Sequence, residues 1–152
     1  MLQDFRTKLG HEIFGVRATA LIIKNGQIYL TKNEEGHYYS IGGAIQVGKK
    51  TQDAVKREVE EEIGIDCQVN QLAFVVENQF QQGETQFHNI EFHYLVTPFG
   101  EPPSSMMEGE RQQECQWVDL NHLSEIDLVP AFLKEELPQW DGQIRHIVSK
   151  YS

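Results

Sequence analysis

The segment "KREVEEEIGI", residues 56–65, places Glu58, Glu60, Glu61 and Glu62 within five positions. It limits the chain more than any other stretch. The pattern predicts a helix from about Thr51 to Ile63, capped near Thr51 and stopped at Gly64. On such a helix Val55, Val59 and Ile63 form an apolar stripe, and Glu58, Glu61 and Glu62 share the neighbouring arc. Glu60 points away from both sets. Like charges at i, i+3 and i, i+4 repel by a few tenths of a kcal/mol per pair. An acidic run is ordinarily a solvated face. The other reading is a site for a hard divalent cation, which takes oxygen ligands.

At 152 residues, with 39% hydrophobic and 24% charged residues, the chain reads as one folded domain over 1–152. No apolar run approaches the roughly 18 residues needed to cross a bilayer, and the N-terminus lacks the apolar core of a signal peptide. The expectation is a cytoplasmic protein without a membrane partner. Cys67 and Cys115 have no CxxC spacing and read as reduced and structural. A formal charge of −10 disfavours a phosphate backbone as a general partner, so no nucleic acid is expected. A small anionic substrate remains compatible if cations mediate the contact.

"VRATALII" and "QIYLTK" read as strands joined at Asn25-Gly26, a strong hairpin signal. "HYYSIGG" reads as a short strand ending in a glycine turn. "CQVNQLAFVVENQF" and "TQFHNIEFHYLVTP" predict an antiparallel hairpin across "QQGE". In its second strand Ile90, Phe92, Tyr94 and Val96 share one face, and Asn89, Glu91 and His93 the other. "PFGEPPSSMMEGERQQ" reads as a loop, "ECQWVDL" as a strand and "LVPAFLKEELPQW" as a short amphipathic helix. "QIRHIVSK" is either strand or helix.

Gly43, Arg57-Glu58-Val59, Glu61-Glu62 and Gly64-Ile65 resemble the Nudix box, G-x5-E-x7-R-E-U-x-E-E-x-G-U with U aliphatic. Eight of its nine specified positions match over residues 43–65. The resemblance implies an α/β Nudix fold, an α/β/α sandwich with a mixed β-sheet and a loop-helix-loop motif, similar to MutT-like bacterial proteins. It further implies a pyrophosphohydrolase that cleaves the diphosphate linkage of a nucleoside di- or triphosphate derivative with Mg²⁺ or Mn²⁺. By the same resemblance Glu58, Glu61 and Glu62, with the Gly43 carbonyl, would hold the metal, while Arg57 and Gly64 support the motif. Dimerisation is common in the family, and the sequence leaves a homodimer open.

The departure is Lys49, which stands where the box has its first glutamate and leaves Arg57 without one expected partner. Lys49 is a candidate phosphate contact, and Arg17 is a second. Glu91 is the first candidate general base, because it lies opposite the apolar face of its strand; Glu110 and Glu114 are weaker candidates. His88 and His93, at i, i+5 on a strand, cannot pair on one metal and read as structural. Tyr38, Tyr39 and Phe80 are either core or stacking surfaces for a base. The competing function is a catalytically impaired nucleotide-binding or sensor protein, with Lys49 marking lost catalysis.

Overall fold

The computed structural model describes residues 2–150. After a short strand, β1 (Arg6–Leu9), that pairs antiparallel with its start, the long strand β2 (Glu12–Lys24) organises them, because its alternating side chains serve two different cores. Ala18, Ala20 and Ile22 face one way and pack with Val55, Val59 and Ile63 of helix α1 (Thr51–Ile63). Leu21 faces the other way and joins Ile28, Leu30, Phe74, Leu123, Leu128 and Leu133. Period-two alternation on one buried strand thus seeds both layers of a sandwich.

β2 turns into β3 (Gln27–Lys32) at Asn25 (φ 53°) and Gly26 (φ 77°), the two left-handed residues a tight primed turn requires. On its other edge β2 pairs in parallel with β7 (Thr85–Phe99), which forms the expected antiparallel hairpin with β6 (Asp66–Gln82). β11 (Arg145–Lys150) adds in parallel to β6, which resolves "QIRHIVSK" as a strand. The sheet is mixed, with α1 against one face and a 3₁₀ turn (Leu120–Glu125) and the single-turn α2 (Leu133–Glu136) serving the other core. This is the α/β architecture expected.

Four local expectations are corrected. The "HYYSIGG" stretch forms two strands, β4 (His37–Tyr39) and β5 (Ile41–Ala44), with both glycines inside β5 rather than in a turn. A Cβ on Gly42 would lie 2.6 Å from the Ala18 carbonyl oxygen, so the glycine admits close backbone approach to β2. The presumed loop at 98–113 contains a hairpin, β8 (Ser105–Glu108) with the start of β9 (Arg111–Asp119), turning at Gly109. "LVPAFLKEELPQW" is helical only in α2; its first residues end β10 (Asp127–Val129), which pairs with β4. Finally, Thr51 does not cap α1. The N-cap is Lys50, without a side-chain hydrogen bond, and the Thr51 hydroxyl instead bonds the Tyr94 hydroxyl at 2.6 Å.

Candidate active site

Helix α1 ends as expected: Gly64 adopts φ 69° and its N–H donates to the Glu60 carbonyl. Its acidic arc faces β5. The Glu58 carboxylate lies against Gly43, where a Cβ would stand 2.7 Å from Glu58 Oε1. A side chain at position 43 would therefore push the Glu58 carboxylate aside. Gly43→Ala is expected to displace the Glu58 carboxylate and lower activity about 100-fold at near-constant KM, measured by steady-state kinetics.

Arg57 donates through one terminal nitrogen to the Ala44 carbonyl at 3.2 Å and to Glu58 Oε1 at 2.9 Å, and its Nε lies 3.7 Å from Glu61. With lysine at position 49, one terminal nitrogen of the Arg57 guanidinium is held by Ala44 and Glu58, while its Nε is buried without a hydrogen bond. Lys49 itself is exposed in the turn before α1, outside the two clefts described below.

Glu62 is the most constrained of the three. Burial, then a hydrogen bond and charge repulsion from Glu58, push its carboxyl up to about 8, against a smaller opposing pull from Arg17. Its Oε2 is buried without a hydrogen-bond partner. Two crowded carboxylates with an orphaned oxygen suit a bound cation, which would replace the shared proton. Glu61, by contrast, has a side chain 61% exposed. No three His, Cys, Asp or Glu side chains among the described residues converge as a metal cage. Glu58 and Glu62 thus fit an ion of the Mg²⁺ type, which keeps several waters and is completed by substrate phosphates.

Glu62 lines a polar cleft of about 360 Å³ together with Arg17, Gly42, Glu108 and Arg111. Glu108 was missed by sequence reasoning, although its Glu-Gly-Glu-Arg context carries the turn signal that places it on a hairpin. Arg17, Tyr39 and Ser40 also line a second cleft, of about 200 Å³, on the sheet face opposite α1. There Glu91 stands beside Arg17 in the parallel β2–β7 register.

Glu91 is 4% exposed, and it is neither solvated nor free: Oε1 meets His93 Nε2 and Oε2 accepts from Asn78 Nδ2, both at 2.9 Å. Burial alone would raise its carboxyl, but His93, Asn78 and Arg17 outweigh it and hold the group below the ordinary carboxylate range. His93 is fully buried, as its structural reading required, and His88 is exposed. Tyr39 and Phe80 line the cleft, while Tyr38 packs with the second core. Glu110 and Glu114 are exposed, and neither lines a described cleft. Cys67 and Cys115 are free and buried.

The NUDIX domain model matches residues 14–140, a span that contains most of the strands, the acidic helix, and Arg17, Glu62 and Glu91 of the two clefts. The chain belongs to the Nudix family, and it is a pyrophosphohydrolase of that family. It is 34% identical over 127 residues to the 8-oxo-dGTP diphosphatase of Haemophilus influenzae, covering 78% of this chain and 87% of that one. Among solved structures it resembles a MutT Nudix hydrolase from Burkholderia pseudomallei, with 29% identity, a TM-score of 0.59 and coverage of 70% and 84% of the two chains. A MutT protein from Bacillus halodurans shares the fold at a TM-score of 0.71 over 90% of this chain and 92% of that one, with 17% identity. No helix among the described residues is long and apolar enough to cross a membrane.

Proposed function

We propose that this Nudix hydrolase is a nucleotide diphosphatase acting on a nucleoside triphosphate or related nucleoside diphosphate derivative with Mg²⁺ or Mn²⁺. The carrying observation is the Glu58–Glu62 pair: crowded carboxylates on a rigid helix, with a buried oxygen unsatisfied, at the edge of a cleft that also holds Arg17. The Haemophilus influenzae relative, a diphosphatase of an oxidised deoxyguanosine triphosphate, supports a small nucleotide as substrate.

Glu58 and Glu62 supply the inner carboxylate oxygens, Glu61 adds a more exposed one beside Arg57, and the Gly43 carbonyl completes the set. The ion, when bound, supplies positive charge against the phosphate oxygens and activates water for attack. Arg57, fastened to Ala44, orients the Glu58 carboxylate. Arg17 offers a planar pair of donors to a phosphate at the junction of the two clefts. Lys49, on the exposed turn, contributes a point charge to the incoming anion. Gly64 fixes the end of the helix that carries the ligands.

The test is turnover of a panel of nucleoside triphosphates, nucleotide sugars, ADP-ribose and dinucleotide polyphosphates with Mg²⁺ or Mn²⁺. Hydrolysis of a triphosphate in preference to the others is expected. Lys49→Glu is expected to alter kcat by less than about fivefold, since Arg57 is already fastened to Ala44 and Glu58 through a terminal nitrogen. A native protein inactive on the whole panel, with activity gained in Lys49→Glu, would instead establish the binding or sensor function.

A further inference from the structure

The cleft opposite α1 holds a buried acid that the diphosphate chemistry does not use. An ionised carboxylate offers about four acceptor positions and no donor. His93 and Asn78 take one on each oxygen of Glu91, at 2.9 Å. Glu91 nevertheless lines the cleft, so the remaining acceptor capacity borders open space. Those unused acceptor positions are open to a ligand that brings N–H groups.

His93 and Asn78 look built to hold the carboxylate in place. His93 is fully buried, with its ring edge-on to Phe74 and Phe132 at centroid distances of 6.5 and 5.4 Å. Since the carboxylate only accepts, His93 Nε2 carries the hydrogen of their contact. Its Nδ1 has no partner, so the hydrogen bond the imidazole makes goes to Glu91. Asn78 spends an amide hydrogen on Glu91 and also lines the cleft. A general base needs freedom to take and release a proton, whereas this carboxylate is fastened at both oxygens.

We infer that Glu91 is a specificity-determining residue, and that its carboxylate, positioned by His93 and Asn78, accepts N–H donors from the base of the bound nucleotide. The inference rests on the nucleotide reading above and adds the reader of the base. Arg17, in register with Glu91 on the adjacent strand, marks the phosphate end, and Tyr39 and Phe80 provide aromatic walls. A two-oxygen acceptor suits a base edge with a ring N–H beside an amino group, as in guanine. Hypoxanthine lacks the amino donor. Adenine presents a ring lone pair beside its amino group, which the carboxylate repels. Hydrogen bonds to a charged acceptor are strong enough to discriminate about 10- to 100-fold.

Calorimetric titration of dGMP, dIMP and dAMP, with Mg²⁺ present, tests this without requiring turnover. The wild-type protein is expected to bind dGMP at least about tenfold more tightly than dIMP or dAMP. Glu91→Gln, nearly isosteric and able to keep a partner for His93, is expected to bring dGMP and dIMP within about threefold. Equal binding of dGMP and dIMP by the wild-type protein would overturn the inference even if the variant does not fold. So would a Glu91→Gln variant that keeps the preference but loses kcat equally for every base, the pattern of a general base. Guanine-selective binding without hydrolysis of any nucleotide would remove the diphosphatase reading and leave this one standing.

Discussion

Glu62→Gln is expected to lower kcat by about 1000-fold while leaving the fold intact, because several kcal/mol of charge stabilisation pass through that carboxylate. The companion effect concerns stability. In the absence of metal the folded protein holds the Glu62 carboxyl up to about 8, against about 4.3 for an unperturbed glutamate. The folded state therefore binds the proton more tightly than the unfolded chain does, and stability falls as pH rises between those values. Glutamine needs no ionisation. Metal-free Glu62→Gln is thus expected to exceed the wild-type protein in stability at pH 8.5 by about 2 kcal/mol, measured by urea unfolding. Adding Mg²⁺ is expected to stabilise the wild type and not the variant. A variant that unfolds more easily than the wild type in metal-free buffer at that pH would show that the carboxylate is structural.

Glu91→Ala is expected to cost about 3 kcal/mol, the largest loss of stability among these substitutions. It strands two buried donors, His93 Nε2–H and Asn78 Nδ2–H, each worth about 1–3 kcal/mol when unpaired. The pH dependence has the opposite sign to that of Glu62. Although burial raises the Glu91 carboxyl, the His93 and Asn78 bonds and the Arg17 charge hold it below the ordinary range. Its contribution is present above the unfolded-state value and is lost as pH falls through the folded one. Glu91→Gln should accordingly unfold with a shallower dependence on acid than the wild type, read as urea midpoints between about pH 3 and pH 6. Parallel curves for the two proteins would contradict that assignment.

The chemistry of α1 was legible because it is local. The spacing from Gly43 to Ile65 sets the helix, its glycine stop and its carboxylate arc, and all three lie where the pattern put them. The corrections share a different cause, namely contacts from distant chain. Gly42 and Gly43 resemble turn residues but line a strand, because β2 and Glu58 press against them. Residues 127–129 continue into a helical pattern, yet they pair with β4, some ninety positions earlier. In the sequence Glu91 stood out as a candidate base opposite the apolar face of its strand, and nothing local marked it as buried. Only the pairing of β7 with both β2 and β6 surrounds it with Arg17 and Asn78 and buries it. Glu108 joined the site through a hairpin whose Gly109 turn signal was lost among the Pro and Ser residues that precede it.

Product analysis tests the central claim most directly. The native protein is incubated with a nucleoside triphosphate after removal of divalent metal, and again after Mg²⁺ is restored. Release of nucleoside monophosphate and pyrophosphate only in the restored sample is the expected result for a metal-dependent diphosphatase built on Glu58 and Glu62. Equal release in the two samples, or a nucleoside diphosphate and phosphate as products, would contradict it.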